Sequence, residues 1–373
     1  MSKTVGIDAR FYGEAGPGRY AKAIVEHLEK VDTINHYIVF LRQKGFEAYV
    51  PKNTNFKKVL ADYPWYSLQE QKLFLFKLLM FKLDVLYVPH FNIPILYPKK
   101  IVTAIPDIIM HSFSTEHSTT RSMIIHKFKK FLYHVVVYFA VTKSQKIIVP
   151  SLDVKTDFMK YYPYVSESKY IVAYEGVDPD LATAKIFDHK IDGNLSYLLY
   201  VGSMYKHKNI PILIEAFKIL KSKYGYNGKL IIVGKKDFFS EQIFKSIKEA
   251  NLETVINMPG MDTYIPDSKI VELRRNAELY VFPSLKEGFS LTPLEGMAVG
   301  LPAVISDIPC HKEIYGDSVV YFDPTSAGDF AEKIWQTIND KQLQQKLRSK
   351  GYELLKKYDW SKTAQITLAV LNS

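Results

Sequence analysis

The sequence predicts an α/β protein built from two doubly wound domains. Short apolar runs rich in β-branched residues alternate with longer amphipathic segments throughout the chain, as in parallel βαβ units. A stretch without periodicity separates two such series, and 373 residues suffice for two cores. Because parallel sheets bind ligands beyond the carboxyl ends of their strands, we expect functional residues in the loops that follow the apolar runs.

The first series predicts the N-terminal domain, residues 1–178. Its apolar runs predict strands at Thr4–Asp8, Tyr37–Leu41, Val85–Val88, Ile101–Ala104, Lys146–Val149 and Tyr170–Ala173. Its helical periodicity predicts helices at Gly18–Lys30, Ser67–Lys82, Ser118–Thr142 and Asp153–Tyr161. Residues 179–193 lose all periodicity and are the predicted linker.

The second series predicts the C-terminal domain, residues 194–357. The predicted strands are Leu195–Val201, Lys229–Val233, Val255–Asn257, Leu279–Phe282, Ala303–Ser306 and Val319–Tyr321. The predicted helices are Asn209–Lys223, Ser240–Ala250, Asp267–Asn276, Pro293–Val299, Ala327–Asn339 and Gln342–Lys357. The last segment, 358–373, contains an amphipathic helix that we expect to pack back toward the N-terminal domain.

Composition excludes several classes of protein. An apolar fraction of 47% and a charged fraction of 24% are those of a globular chain, not of a disordered or fibrous one. The single cysteine, Cys310, permits neither an internal disulfide nor a cysteine zinc site, which indicates a reducing compartment. Asp8 and Arg10 interrupt the start where a signal peptide is apolar, and no apolar run reaches the ~20 residues of a spanning helix. We therefore expect a cytoplasmic protein.

The positive charge is concentrated in the N-terminal half. The chain carries 49 Lys and Arg against 39 Asp and Glu, a net charge of +10, and residues 40–150 supply this excess with 16 against 6. Segment 118–150 has no acidic residue and many aromatic ones, which is typical of helices on anionic membranes. We expect peripheral association with the inner face of the cell membrane; the alternative is a helix packed on its own sheet. No recognised nucleic-acid module is present, so no nucleic-acid partner is expected.

The first candidate site is the glycine-rich segment before the first predicted helix. Gly16, Gly18 and Ala21 fit the G-x-G-x-x-A pattern of dinucleotide-binding turns. Two features oppose that assignment: six residues separate Ala9 from Gly16, and the second strand ends without an acidic residue for a ribose. The segment predicts either an anion-binding loop at a helix N-terminus or a plain strand-to-helix turn.

The second candidate site follows the first strand of the C-terminal domain, where the chain runs through Gly202 and Ser203 to Lys208. Asn209 is a favourable N-cap for the next helix, which places Lys208 at the positive end of the helix dipole. An anionic ligand between Lys208 and the helix would account for a cation in that place. The alternative is a solvated lysine.

The third candidate site is the loop and helix after the fourth strand of this domain. Thr292, Pro293 and Glu295 have the spacing of a capping box, so a purely structural role for Glu295 is one alternative. Glu287 lies in the loop above the sheet, where ligands bind, and has no such structural role. The helix begins with the amides of Ser290, Leu291 and Thr292, which suit a diphosphate.

Segment 283–302 resembles the pattern E-G-F-G-L-x-x-L-E-A-M-A-x-G-x-P of retaining glycosyltransferases of family 4. Glu287 and Glu295 match its E-x7-E pair, and residues 16–20, 90–94, 175–178 and 202–209 resemble other blocks of that family in the expected order. The resemblance covers nearly the whole chain. It implies the GT-B fold, in which two Rossmann-like domains face each other across a cleft and the C-terminal one binds most of a nucleotide-sugar donor.

The resemblance also implies roles for individual residues. Glu287, Asp107 and Lys208 are the implied catalytic residues, with Glu287 on the donor sugar and Glu295 on the ribose. The implied donor-binding residues are Gly16, Gly18, Gly202, Ser203, Lys208, Gly234, Lys235, Glu287, Ser290, Leu291, Thr292 and Glu295. Two positions depart from the family. Ser203 replaces a frequent arginine, with Lys206 and Lys235 as candidates to compensate, and Pro106 replaces the histidine of a His-Asp pair, for which His111 is a weaker candidate.

Together these features predict a retaining glycosyltransferase. It would move a hexose from a nucleotide-diphosphate sugar, with GDP-mannose and UDP-glucose as leading donors, to a glycan or lipid-linked acceptor in polysaccharide or glycoconjugate biosynthesis. The only Asp-x-Asp pair, Asp178 and Asp180, lies in the approach to the linker, so we expect neither a metal nor a cofactor. Two alternatives stay open: a catalytically weakened sugar-nucleotide-binding protein, suggested by Pro106 and Ser203, and an NAD-type dehydrogenase, suggested by the segment 16–21.

Overall fold

The computed structural model describes residues 2–113, 123–177, Leu181 and 196–373. The chain divides into two compact units: an N-terminal unit of Met1–Ile108, Arg121–Gly176 and Asp359–Ser373, and a C-terminal unit of Ile109–Thr120 and Val177–Tyr358. The predicted linker, 179–193, lies outside the described residues apart from Leu181. Residues 109–113, which the sequence places in the first domain, group with the C-terminal unit.

The N-terminal unit is built on a seven-stranded parallel sheet. Its strands are β1 (Thr4–Asp8), β2 (His36–Leu41), β3 (Phe56–Leu60), β4 (Val85–Val88), β5 (Ile101–Ala104), β6 (Lys146–Val149) and β7 (Tyr170–Val172), in the order β3-β2-β1-β4-β5-β6-β7. Its helices are α1 (Ala15–Val31), α2 (Gln43–Ala48), a π-helix (Glu70–Phe74) that continues into α3 (Leu75–Leu79), α5 (Met123–Lys143) and α6 (Leu152–Tyr161), while α4 (Ile109–Ser112) groups with the other unit. All six predicted strands are present. The edge strand β3 is absent from the prediction because Lys57 and Lys58 interrupt its apolar pattern.

The C-terminal unit is built on a six-stranded parallel sheet. Its strands are β8 (Tyr197–Val201), β9 (Lys229–Val233), β10 (Ile256–Asn257), β11 (Leu279–Phe282), β12 (Ala303–Ser306) and β13 (Val320–Phe322), in the order β10-β9-β8-β11-β12-β13. Its longer helices are α7 (Ile210–Tyr224), α8 (Phe238–Glu249), α9 (Asp267–Asn276), α10 (Leu291–Ala298), α11 (Pro309–Tyr315), α12 (Ala327–Asn339) and α13 (Lys341–Leu355). Only α11 lies outside the prediction. Within the described residues, no helix combines the length and apolar character that a bilayer crossing requires.

The last helix, α14 (Trp360–Asn372), belongs to the N-terminal unit and packs on α1. The rings of Tyr20 and Trp360 meet edge to face with centroids 5.7 Å apart. The Thr363 hydroxyl donates to the Tyr174 carbonyl at 2.5 Å, and a Cβ on Gly176 would lie 2.3 Å from the Trp360 backbone nitrogen. The sheet's last connection and the start of α14 are therefore tightly joined.

Each sheet has one point where its strand order reverses, between β1 and β4 and between β8 and β11. The connections from the two adjacent strands leave in opposite directions there, which opens a crevice at the carboxyl ends of the strands. The loops after β8 and β11 carry Lys208 and Glu287. The fold thus brings two predicted site residues to one switch point.

The glycine-rich segment forms the first turn of α1 and not a loop before it. Gly16 and Gly18 both lie within the helix, and the preceding turn is made at Gly13, whose φ is +74°. A Cβ on Gly18 would lie 2.0 Å from the Phe11 carbonyl oxygen, whereas a Cβ on Gly16 would meet nothing within 4 Å. The predicted helix start at Gly18 is therefore wrong by three residues, and donor contact by Gly16 and Gly18 stays a prediction.

Gly18→Ala is expected to lower the free energy of unfolding of the N-terminal unit by about 1–3 kcal/mol, because the added methyl group meets fixed backbone. Gly16→Ala is the matched control: the same change in the same helical turn meets open space and gains up to ~1 kcal/mol of helix propensity. Urea unfolding of both variants measures the difference. Equal stability of the two variants would contradict the close packing at Gly18.

Candidate donor site of the C-terminal unit

Lys208 and Glu287 form an ion pair at the switch point of the C-terminal unit. Lys208 Nζ lies 2.5 Å from Glu287 Oε1, and the two side chains are only 14% and 7% exposed. Burial raises the pKa of Glu287, but the Lys208 ammonium, its hydrogen bond to the carboxylate and the nearby His207 together hold that pKa below its usual range. Lys208 is therefore not a solvated lysine, because a carboxylate holds its charge at the strand ends.

A hydrogen bond between the two loops fixes this pair. The Leu285 N–H donates to the His207 carbonyl at 2.7 Å. Asn209 follows in a left-handed conformation with a φ of 55°, and its side-chain amide donates to the Pro324 carbonyl at 3.0 Å. Asn209 occupies the N-cap of α7, as predicted, but its side chain makes no capping hydrogen bond to the helix. Its side-chain amide instead connects the residue after Lys208 to the loop that follows β13, which contains Pro324.

Helix α10 does not begin with the predicted capping box. The residue at its N-cap is Ser290, in a left-handed conformation with a φ of 71° and without a side-chain capping hydrogen bond. Thr292 lies within the helix, where its side chain is hydrogen-bonded to Tyr280. The capping interpretation of Thr292 and Glu295 is therefore wrong. The amides of Ser290, Leu291 and Thr292 start the helix without a capping side chain.

Two residues of α11 hold Ser290 in its conformation. The Tyr315 hydroxyl donates to the Ser290 carbonyl, and His311 Nε2 lies 3.2 Å from Ser290 Oγ. Because His311 Nδ1 donates to the Ser306 carbonyl at 2.8 Å, Nε2 accepts from the Ser290 hydroxyl. Burial lowers the pKa of His311 to about 4, which keeps the ring neutral. The sequence analysis missed His311 and Tyr315 because it did not predict α11.

Glu295 is paired with an arginine of another helix. Arg274 of α9 places Nη2 against Glu295 Oε2, and the two residues are 4% and 3% exposed. Arg274 Nε is buried and has no hydrogen-bond partner among the residues that the structure describes. The role of Glu295 within the fold is thus to balance a buried guanidinium. Sequence spacing does not reveal the pair, because 21 residues and a strand separate its members.

Three glycines let the backbones at the carboxyl ends of β8, β9 and β10 pack edge to edge. A Cβ on Gly234 would lie 2.5 Å from the Gly202 carbonyl oxygen, and a Cβ on Gly260 would lie 2.2 Å from that of Gly234. The Ser203 carbonyl accepts the Tyr200 hydroxyl at 2.6 Å, which fixes the same turn. The sequence analysis named Gly202, Ser203 and Gly234 but missed Gly260.

The two lysines suggested to compensate for Ser203 are both exposed. Lys206 lines a cavity of about 390 Å³ with Tyr205, Asn209 and Phe239. Lys235 is the second residue after the end of β9. Both lysines are therefore exposed at the carboxyl ends of the strands, in contrast to the half-buried Lys208.

In the N-terminal unit, Asp107 follows β5 and Glu175 follows β7. Burial raises the pKa of Glu175 to about 7, with attraction to Arg19 opposing this shift and repulsion by Asp107 adding to it. Glu175 is thus close to half-protonated at neutral pH. The sequence analysis gave it no role. His111, the candidate to replace the missing histidine, lies on α4.

The proton on Glu175 predicts a pH dependence of stability in the N-terminal unit. Because the folded-state pKa lies above the unfolded value, this stability is complete below about pH 4.5 and is lost as the pH rises through 7. Glu175→Gln, a neutral isostere, is expected to flatten that decline. Melting temperatures of both proteins between pH 5 and pH 8 measure it; parallel curves would contradict the buried proton.

Among the described residues, no three His, Cys, Asp or Glu side chains lie together as a metal site. Asp178 and Asp180 lie outside the described residues. Metal independence stays a prediction.

These features place a half-buried lysine, two buried carboxylates and a helix N-terminus without a capping side chain on one doubly wound unit. Residues 182–354 match the family model of glycosyl transferases, group 1. This group 1 region contains Lys208, Glu287 and Glu295, and it spans most of the C-terminal unit.

Several curated relatives of the chain are named for O-antigen or capsular polysaccharide. The chain is 28% identical to the O-antigen chain mannosyltransferase B of Escherichia coli over 46% of its length and 44% of the relative. It is 26% identical to the O-antigen chain mannosyltransferase RfbU of Salmonella typhimurium over 56% of its length and 54% of the relative. It is 30% identical to the capsular polysaccharide biosynthesis glycosyltransferase CapM of Staphylococcus aureus over 44% of its length and 42% of the relative. The alignments span about half the length of each relative.

Solved glycosyltransferases share the architecture of the whole chain. Anabaena HepE, crystallised with UDP-glucose, superposes with a TM-score of 0.75 at 17% identity and covers all of both chains. WaaG, a glycosyltransferase involved in lipopolysaccharide biosynthesis, superposes with a TM-score of 0.74 at 15% identity over 99% of this chain and all of the other. The predicted fold class, two Rossmann-like domains of the GT-B type, is confirmed.

Proposed function

We propose that the protein is a metal-independent retaining glycosyltransferase of family 4 that transfers a hexose from a nucleoside-diphosphate sugar to a glycan or lipid-linked acceptor. The names of the relatives support polysaccharide biosynthesis, and the two O-antigen mannosyltransferases favour mannose. GDP-mannose is therefore the first donor to test and UDP-glucose the second.

The observation that carries this proposal is the Lys208–Glu287 ion pair, a half-buried lysine with a buried carboxylate, at the strand ends of the group 1 region. A cation held there by a carboxylate, beside the amides that start α10, provides both a phosphate ligand and a sugar ligand. The diphosphate would displace part of the ion pair and bind Lys208 together with the amides of Ser290, Leu291 and Thr292. Glu287 would then be free to accept hydrogen bonds from donor-sugar hydroxyls.

In the transfer step, the bond between the anomeric carbon and the phosphate oxygen breaks, and a bond to an acceptor oxygen forms on the same face. The proton of the acceptor hydroxyl passes to the departing phosphate oxygen. Negative charge on the leaving nucleoside diphosphate would be stabilised by Lys208 and the fixed amides, whose orientation His311 and Tyr315 maintain through Ser290.

Thermal-shift measurements with GDP, UDP, ADP and their sugars test the donor assignment. A donor at 100 times its Kd is expected to add about 2.7 kcal/mol of stability. Transfer of mannose or glucose in the presence of EDTA then tests metal independence. The absence of any nucleotide shift would refute the proposal. Binding without turnover would favour the weakened sugar-nucleotide binder, and activity restored only by Mg²⁺ or Mn²⁺ would refute the metal-free mechanism.

We also propose that the N-terminal unit binds the cytoplasmic membrane surface. On the predicted segment 118–150, the described side chains of Phe131, Leu132 and Tyr138 are exposed, and residues 118–122 lie outside the described residues. A second exposed apolar surface, absent from the prediction, lies around the π-helix and α3: Leu68, Leu73, Phe76, Leu79 and Met80, flanked by Lys72 and Lys77. Exposed apolar side chains beside lysines suit anionic lipid.

Flotation with anionic and neutral vesicles tests this membrane proposal. Phe76→Ser with Met80→Ser is expected to reduce flotation with anionic vesicles, because these side chains are 66% and 81% exposed and outside the core. Tyr264→Ser, on an 84% exposed residue of the C-terminal unit, is the matched control. Equal absence from both vesicle types would refute membrane binding.

A further inference from the structure

A buried polar network lies at the switch point of the N-terminal unit, formed by residues to which the sequence analysis gave no role. Arg10 Nε lies 2.7 Å from Asp8 Oδ1, and Arg10 Nη2 lies 2.5 Å from Glu70 Oε1. The Asn92 side-chain amide donates to both oxygens of Glu70, at 2.8 and 2.9 Å. The positive charge of Arg10 is thus neutralised by the carboxylates of Asp8 and Glu70. The cluster therefore has no excess positive charge that could attract an anion.

This network holds Tyr66 in an unfavourable backbone conformation. Tyr66 has a φ of 56°, and its N–H donates to Glu70 Oε2 at 2.9 Å. A bulky residue in the left-handed region costs of the order of 1 kcal/mol or more, and such outliers cluster at functional sites. Glu70 also begins the π-helix Glu70–Phe74, a second irregularity of the kind found at such sites. Tyr66 is 63% exposed as a residue.

His90, after β4, offers a hydrogen-bond donor beside that ring. It is only 6% exposed, and its Nδ1 accepts the Asn92 N–H at 3.1 Å, so Nε2 carries the ring proton. Burial, with the nearby Arg10, lowers the pKa of His90 to about 3, and the ring is neutral. No side chain or carbonyl in the described part of the chain accepts from Nε2.

Aromatic rings surround this donor. Phe91 lies against His90 with ring centroids 4.1 Å apart, and Tyr66 lies 6.3 Å from Phe91 and 6.5 Å from His90. Phe11 packs on His90 at 4.6 Å and stacks on Trp65 at 3.4 Å. The exposed Tyr66 thus lies beside a half-buried Phe91 and a set of packed aromatic rings.

We propose that His90, Tyr66 and Phe91 form a subsite for a pyranose ring of the acceptor glycan. This inference rests on the proposed glycosyltransferase function and specifies its acceptor side. A pyranose presents an apolar C–H face, which packs on the Tyr66 and Phe91 rings, and hydroxyls at its edge, one of which accepts from His90 Nε2. A phosphate or carboxylate would need a cation, whereas His90 is neutral and Arg10 is balanced. A lipid chain would leave the His90 donor unused.

Saturation-transfer NMR on the full chain, with methyl α-D-mannopyranoside and methyl α-D-glucopyranoside as probes, tests the subsite. Tyr66→Gly is expected to weaken binding about tenfold, because the stacking ring is lost. Its melting temperature is expected to hold or rise, because glycine adopts this φ without strain. Tyr66→Phe is the matched control and keeps binding. His90→Phe keeps the aromatic packing but removes the donor, and weakens binding by a similar factor.

A purely structural role for Tyr66 predicts the opposite pattern, in which Tyr66→Gly lowers the melting temperature and leaves glycoside binding unchanged; this result would overturn the proposal. So would the absence of saturation transfer to either glycoside in the unsubstituted protein, or vesicle flotation that depends on Tyr66. Thermal shift by GDP or UDP separates the two proposals. If nucleotides bind and glycosides do not, the subsite fails alone; if glycosides bind and no nucleotide does, the proposed function fails alone.

Discussion

Glu287→Gln is expected to reduce glycosyl transfer by about 10²–10³-fold, because a neutral amide cannot hold the Lys208 ammonium or accept equally strong hydrogen bonds from the donor sugar. Affinity for the nucleoside diphosphate is expected to persist, since Lys208 and the α10 amides remain. Turnover of the donor under saturating conditions and calorimetric binding of GDP or UDP measure the two effects separately.

Lys208→Met is the complementary change. It is expected to lose a similar factor in turnover but also to weaken diphosphate binding, because the cation itself is removed. Glu332→Gln is the matched control, on an exposed glutamate of α12. Near-normal turnover of Glu287→Gln, or unchanged diphosphate binding by Lys208→Met, would contradict the proposed division of roles between the members of the pair.

Arg274→Met is expected to destabilise the C-terminal unit by about 3–5 kcal/mol, because it leaves Glu295 buried without its counter-charge. The expected loss of stability is large because Arg274 and Glu295 are only 4% and 3% exposed, so water cannot solvate the charge that remains. Arg275→Met, one residue further along α9 and only partly buried, is the matched control and is expected to have a much smaller effect. Denaturant unfolding, followed by a probe in the C-terminal unit, measures the difference.

A double variant separates stability from ligand binding at this pair. Arg274→Met with Glu295→Leu replaces both charges by apolar groups and is expected to recover most of the lost stability. Nucleotide affinity is expected to stay low, because the proposed ribose ligand is gone. If affinity recovered with stability, Glu295 would serve the fold alone and its assignment to the ribose would be wrong.

The sequence predicted the strands well because burial on both faces leaves continuous β-branched runs, as in β6 and β12. The pattern fails at β3, an edge strand with an exposed Lys57 and a half-buried Lys58 whose ammonium donates to the Phe46 and Tyr49 carbonyls. It also fails at α11, a short helix with Pro309, charged residues and the buried His311 in one turn. What periodicity detects is burial, so elements that are short or half solvated escape it.

The candidate site shows the same division between local and distant information. Lys208 and Glu287 were found because each follows a strand at the switch point, which a local pattern reveals. The predicted capping box at Thr292 and Glu295 does not form. Ser290, in a left-handed conformation, is the N-cap residue, and the Glu295 carboxylate pairs with Arg274. Contacts such as Arg274–Glu295 and His311–Ser290 depend on tertiary packing between separate helices, which no single segment encodes.

The position of α14 has a consequence for the order in which the protein can fold during synthesis. The ribosome makes the first strands early, yet the helix that covers α1 follows the entire C-terminal unit in the chain. Synthesis of the N-terminal unit therefore starts first and finishes last. The surface of α1 that α14 covers, including Tyr20, stays exposed until Trp360 has left the ribosome. A domain can fold once all of its residues have left the ribosome. The C-terminal unit can therefore fold while the N-terminal unit still lacks α14. Chaperone binding to nascent chains should accordingly persist on α1 until α14 is released.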